Sequence, residues 1–312
     1  RVPSEDPWFK EYQKTVVASY RLTYPRPCPC GSIILGFDQR QVETLGHTVD
    51  IATGVATVHF RRGPALLHLQ VWVDQAQDQV WLSLLDEQGQ AAPSLFDRVR
   101  LTPDPEIVKE FPPARQVADT HRGCLSFHQI LPALEPDVYD PAKGDPRDRA
   151  LRVTLRLPHG LPGESGVSPP PEQRKRDWLL RDLQPGGAFS LGVTLEHGLA
   201  SELATPAPLP QAWSASAASL NATTAAWRDY WSRSAVSLPG DAFLERLWYH
   251  NLYFLRCALR PDGTCPGLFA NWNYKRIATS WHGDYHMNYN TQQPFWATFA
   301  TNHVDLHLPY VG

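Results

Sequence analysis

The feature that most limits how this chain can fold is a change of period at the proline cluster Pro206-Ala207-Pro208-Leu209-Pro210. Before it, from about residue 32 to 200, apolar residues recur at every second position. Leu67, Leu69, Val71 and Val73 alternate with His68, Gln70 and Trp72. Val80, Leu82 and Leu84 repeat the pattern, as do Phe189, Leu191, Val193 and Leu195. Leu151, Val153, Leu155 and Leu157 follow it too, and their neighbours Arg152, Thr154 and Arg156 point the other way. Such alternation belongs to half-buried antiparallel strands. Turn residues at Asp38-Gln39, Gly54, Gly63-Pro64, Gln88-Gly89 and Pro185-Gly186-Gly187 separate the strands. No amphipathic helices lie between them, which argues against a parallel βαβ sheet and for a β-sandwich. Two stretches, Leu131 to Arg149 and Pro158 to Arg176, read as long surface loops.

After the prolines the period becomes helical. Trp213, Ala217, Leu220, Thr224, Trp227 and Trp231 fall on one face of a predicted helix. A second helix is expected from Asp241, an N-cap after Pro239-Gly240. Its apolar face is Leu244, Leu247, Trp248, Leu252, Leu255 and Leu259, and it stops by Pro261-Asp262-Gly263. A third is expected just before Pro294, because proline is tolerated in a first turn. The expected organisation is a sandwich domain over 1–205, a linker with a helix over 206–240, and helices over 241–312.

Composition narrows the function. A net charge of −3 gives no electrostatic case for nucleic acid or an anionic membrane surface. No apolar run approaches the roughly 18–20 residues a membrane span needs. Five cysteines are present, and Cys28-Pro29-Cys30 has no Cys or His partner at a zinc spacing nearby, so neither a metal nor a cofactor is expected. The chain holds seven asparagines, six of them between Asn251 and Asn302, and fourteen aromatics between Trp248 and Tyr310. Buried amides without partners cost free energy, so clustered asparagine does not serve a core. Neutral hydrogen-bonding groups among aromatic faces suit a neutral ligand with polar edges, such as a sugar ring.

The densest segment runs Trp281-His282-Gly283-Asp284-Tyr285-His286-Met287-Asn288-Tyr289-Asn290. His286, Asn288 and Asn290 stand at i, i+2 and i+4, a spacing that sends side chains to one side in extended or loop backbone. They could orient sugar hydroxyls, or hold a water for a nearby carboxylate. The structural alternative is that the amides cap the next helix and the histidine satisfies a core hydrogen bond. Asp284 could serve as a carboxylate in the site or as a cap. Trp272, Trp281 and Trp296 could be stacking platforms or core. Glu245, in the first turn of the second helix, reads as a solvated or dipole-complementing charge.

Trp227-Arg228-Asp229-Tyr230-Trp231-Ser232-Arg233-Ser234 followed by Leu238-Pro239-Gly240-Asp241 resembles glycoside hydrolase family 95, the α-L-fucosidases and α-L-galactosidases. The likeness continues through Leu252-Tyr253-Phe254-Leu255, Pro266-Gly267-Leu268-Phe269-Ala270-Asn271-Trp272 and the Gly283 to Asn290 string, over about 85 residues. Gln292 or Gln293 and Phe295-Trp296 fill the places of a family Gln and aromatic-Trp pair, while Gln292-Gln293-Pro294 departs from the usual residues there. The resemblance implies an N-terminal supersandwich, a linker helix and the first helices of an (α/α)6 barrel. It implies inverting hydrolysis of an α-L-fucosyl or α-L-galactosyl-type glycan, with secretion or a periplasmic location favoured. Carried over, Asn288 and Asn290 position the attacking water and His286 contacts the sugar, while Trp272, Trp281 and Asp284 remain the further candidate substrate contacts. Inversion needs two carboxyl groups about 6.5–9.5 Å apart. No second carboxylate stands out, so the acid and base are expected beyond Gly312. A non-catalytic carbohydrate-binding protein and a glycoside phosphorylase are the competing expectations.

Overall fold

The computed structural model describes residues 4–21, 29–104, 111–112, 114–119, 124–133, 140, 142–157, 167–168, 178–181, 188–203, 216–268, 270, 272 and 283–312. In chain order the elements are helix α1 (Pro7–Arg21), then strands β1 (Ser32–Gly36), β2 (Val42–Asp50), β3 (Val55–Arg62), β4 (Ala65–Val73), β5 (Gln79–Asp86) and β6 (Arg98–Thr102). Next come β7 (Arg115–Asp119), β8 (Cys124–Leu131), β9 (Arg149–Arg156), β10 (Val167–Ser168), β11 (Trp178–Arg181) and β12 (Ser190–Leu199). Helices α2 (Ser216–Ser232), α3 (Ala242–Ala258) and α4 (Gln292–Ala300), a 3-10 turn (Val304–His307) and α5 (Leu308–Val311) complete the chain. Compactness divides it into two units. One comprises Cys30–Leu134 and Asp140–Ala235, the other Arg1–Pro29, Glu135–Tyr139 and Val236–Gly312.

The first unit is built on two antiparallel sheets, as the period of two requires. Four strands order as β1-β6-β11-β10 and eight as β2-β3-β4-β5-β12-β9-β8-β7. Ile33, Leu35, Val99 and Leu101 of the smaller sheet share one core with Leu69, Leu155 and their neighbours in the larger. Phe60 meets Phe96 edge to face at 6.0 Å, and Phe96 meets Phe189 at a tilt with centroids 4.9 Å apart. Val73 departs from the inward set: it closes its strand and is exposed.

The outer face of the larger sheet is not the polar face that simple alternation predicts. Trp72 and Trp81 stack there with centroids 6.4 Å apart, and with Val55 and Leu220 they form a second apolar cluster. The cause is α2, which lies on this face and needs an apolar landing. Its buried side chains are Ser219, Thr223, Trp227 and Tyr230. The predicted face is therefore turned, and Ala217 is exposed. Hydrogen bonding explains the turn. Ser219 Oγ donates to the buried Asp74 carboxylate and accepts from Trp72 Nε1 at 3.2 Å, while Thr223 Oγ1 donates to the Val73 carbonyl at 3.3 Å. An alanine face could satisfy none of these groups. Trp231 Nε1 donates to the Ile51 carbonyl at 2.8 Å. Most of the two expected loops, the turn at 185–187, the proline cluster, Trp213 and Cys28 lie outside the described residues.

The second unit is helical where it is described. The sequence reading has no helix at α1, which opens with Asp6 Oδ1 accepting from Trp8 N at 2.8 Å. Asp241 caps α3 as its position predicts, accepting from Phe243 N at 3.1 Å and Leu244 N at 2.9 Å. Glu245 does more than sit in solvent: its Oε2 accepts from Leu238 N at 2.6 Å. Tyr249 Oη donates to the Val236 carbonyl at 3.0 Å. Leader and first turn are thus tied together, the role of a capping box. Among the described residues no helix is long and apolar enough to cross a membrane. Among the described residues Cys30, Cys124, Cys257 and Cys265 form no disulfide.

Candidate functional site

The loop carrying the asparagines is tied to the 265–268 segment by one backbone bond and one side-chain bond. Leu268 N donates to the Asp284 carbonyl at 2.9 Å, and Tyr285 Oη donates to the Cys265 carbonyl at the same distance. Gly267 lies so close to this segment that a Cβ would stand 1.8 Å from the Gly283 carbonyl oxygen. Only glycine fits. Replacing Gly267 with alanine must push two backbones apart, with an expected loss of about 2–3 kcal/mol measured by denaturant unfolding.

Past Asp284 the chain does not stay extended. Residues 287–291 form a turn, closed by Thr291 N donating to the His286 carbonyl at 2.9 Å and Gln293 N donating to the Tyr289 carbonyl at 2.9 Å. The i, i+2, i+4 alternation therefore has no extended backbone to act through. Tyr289, between the two asparagines, has φ +86°, a left-handed conformation that costs a non-glycine residue on the order of 1–3 kcal/mol. Its ring meets Trp296 edge-on at 5.7 Å. Sequence reasoning missed this strain because no residue type at position 289 announces it.

Asn288 and Asn290 are both exposed. Neither caps the following helix, whose N-cap is Thr291 without any side-chain cap bond. Among the described residues neither carboxamide has a hydrogen-bond partner. His286 is paired instead with Asp284, its Nδ1 2.5 Å from Oδ1. The contact is an ion-pair approach without hydrogen-bond geometry at Nδ1. Spacing alone suggested the two residues but not their coupling. Asp284 caps no helix.

Trp272 is 51% exposed, its ring edge-on to Phe254 at 6.1 Å, and Trp296 is 56% exposed. Neither is core. Phe295, beside Trp296, is the buried member of that pair and packs on Tyr310 at 5.0 Å. Trp281 lies outside the described residues. Burial pushes the Tyr285 phenol upward, with the Cys265 thiol a smaller cause. Tyr285 thus stays protonated and keeps its donor for the Cys265 carbonyl. Among the described residues no group of three or more His, Cys, Asp or Glu could hold a metal ion.

No family model matches the sequence. Over 77 residues, 24% of this chain, it is 34% identical to an Aspergillus niger protein described as probable alpha-fucosidase A, and it spans only 10% of that protein's length. Among solved structures, a bacterial glucoamylase complexed with acarbose aligns over 92% of this chain and 45% of its own, with 10% identity and a TM-score of 0.48. A human-microbiome protein assigned as a kojibiose phosphorylase aligns over 75% of this chain and 32% of its own, with 11% identity and a TM-score of 0.44. With TM-scores below 0.5, neither structure bears on what this chain does. One stretch of the chain, 77 residues long, is thus similar to a stretch of a probable alpha-fucosidase.

Proposed function

We propose that this chain belongs to a glycosidase that removes a terminal α-L-fucosyl or α-L-galactosyl-type sugar from a glycan with inversion. The observation that carries the reading is the 287–291 turn. It spends strain at Tyr289 to present two carboxamides that serve no cap and no core. Strained backbone persists where the surrounding structure enforces it, and functional sites are where it concentrates. The partial likeness to a probable alpha-fucosidase supports the same substrate class.

In this reading Asn288 and Asn290 orient the attacking water by donating and accepting without adding charge. His286, beside Asp284, contacts a sugar hydroxyl. The exposed face of Trp272 stacks on the apolar face of the sugar, where C–H groups meet the electron-rich ring. The proton donor for the leaving oxygen is not assigned to any residue here. Asp284 is committed to His286, and Glu245 is committed to Leu238 N.

The test is the configuration of the first product. Hydrolysis of an aryl α-L-fucoside followed by proton NMR should show β-L-fucose before mutarotation. Release of the α-anomer first would overturn inversion. Turnover that requires phosphate would place the protein with phosphorylases, and fucose binding without turnover would leave a carbohydrate-binding module.

A further inference from the structure

Away from the asparagine turn, the larger sheet brings two imidazoles into direct contact. The hairpin at Gly63-Pro64 sets His59 of β3 directly opposite His68 of β4. Their Nδ1 atoms are 2.9 Å apart, and the rings meet edge to face with centroids 5.0 Å apart. We infer that His59 and His68 form a two-imidazole chelate for a divalent metal ion of tetragonal preference, copper(II) binding tightest.

The separation selects the geometry. Two nitrogens in neighbouring corners of a square plane, with bonds of roughly 2.0–2.1 Å, stand about 2.9 Å apart. A tetrahedral ion would need about 3.3 Å. The rings keep their places and turn by about 45°, so that the two lone pairs converge on one point instead of on each other. There is room for this. Gly46 faces His59 from β2 at a bulge, and a Cβ there would have nothing within 4 Å. The gap admits the ion and the waters that complete its coordination.

The proton accounting also closes. In the metal-free pair one Nδ1–H donates to the other Nδ1. With the ion bound, both Nδ1 atoms give lone pairs and both protons sit on Nε2. The neutral pair therefore shifts one proton between ring nitrogens and releases none. Thr48 Oγ1 already stands 3.1 Å from His59 Nε2, where it accepts that N–H and fixes the metal-binding tautomer. An outer partner of this kind accompanies most metal-bound histidines. Nearby charge does not oppose the ion: Arg61 and Glu43, the next outward pair on these strands, neutralise each other at 3.0 Å. Thr57, Gln70 and Leu85, the other outward neighbours, carry none. Acid weakens binding, because the ligands must be free of protons.

The experiment is calorimetric and electron paramagnetic titration of the untagged chain with copper(II) at neutral pH. One equivalent should bind ahead of the weaker sites offered by the remaining histidines, with two equatorial imidazole nitrogens in the spectrum. His59→Gln and His68→Gln should each lower the affinity at least about 10-fold, and the double variant should be no worse than either. Thr48→Val should cost roughly 10-fold while Thr48→Ser restores the wild-type value. The threonine pair decides the matter even if a histidine variant fails to fold. Unchanged affinity in His68→Gln, a spectrum with one nitrogen, or indifference to Thr48→Val would each place the copper elsewhere among the 12 histidines and overturn the assignment.

Discussion

Alanine at Asn288 or at Asn290 lowers kcat on an aryl α-L-fucoside by on the order of 10²–10³, with KM little changed, in any preparation of the protein that turns this substrate over. The expected loss, roughly 3–4 kcal/mol, is that of one preorganised hydrogen-bonding group aimed at the transition state. An exposed carboxamide with no hydrogen-bond partner among the described residues contributes little to folding, so the loss should come with an unchanged melting temperature. His286→Ala behaves differently and raises KM as well, because a sugar contact holds ground state and transition state alike. Asp284→Asn falls between the two. It keeps the shape but removes the charge beside the imidazole, so the sugar contact is loosened rather than lost. Asn→Asp at 288 or 290 adds a negative charge beside the catalytic base and shifts the basic-group limb of the pH profile upward. Normal kcat with a lowered melting temperature in both alanine variants would return the asparagines to a structural role.

The strands were legible because each buries one face in a core and alternation writes that face into the sequence. It failed at Trp72, Trp81 and Arg152, where α2 or a loop covers the second face and the code has two insides. The Asp241 cap was legible because capping is local, involving hydrogen bonds to Phe243 and Leu244 only. The rotation of α2 was not, since the buried Asp74 and the Trp72 indole that call for Ser219 lie about 145 residues away. At the candidate site the residue types could be read, but not the backbone. A positive φ at Tyr289 is imposed by the turn around it, and the single tyrosine carries no mark of it. The contact of His59 with His68 follows from the two-residue hairpin at Gly63-Pro64, which lies midway between them. What hid it was that alternation alone does not show which outward pairs touch.

Glu196→Ala should destabilise the sheet unit by about 3 kcal/mol in denaturant unfolding, more than any other single change of an exposed or half-exposed side chain. Arg152, 7% exposed, donates through Nε and Nη2 to Glu196 at 2.7 and 2.6 Å and through Nη1 to the Leu203 carbonyl at 3.1 Å. Removing the carboxylate takes away the two short charge-assisted bonds and the counter-charge of a buried guanidinium. The cost is that of a buried charge losing its carboxylate, not the worth of the pair. Replacing both partners, Arg152→Met with Glu196→Leu, should therefore cost less than Glu196→Ala alone, a non-additivity that neither a surface ion pair nor a simple loss of packing produces. The strand register extends the argument to pH. His128 lies opposite Arg152 and Arg115 opposite His128. Burial first, then these two arginines, hold the His128 imidazole below its usual value of 6.5. The unfolded chain takes up that proton first, so stability is intact above 6.5 and declines as pH falls from there through the folded value. In Glu196→Ala the carboxylate paired with Arg152 is gone and Arg152 acts on His128 undiminished. The folded value drops further, and the decline with acid should extend to lower pH than in the wild type. A variant whose stability runs parallel to the wild type from neutral pH into acid would show that Glu196 does not screen the ladder.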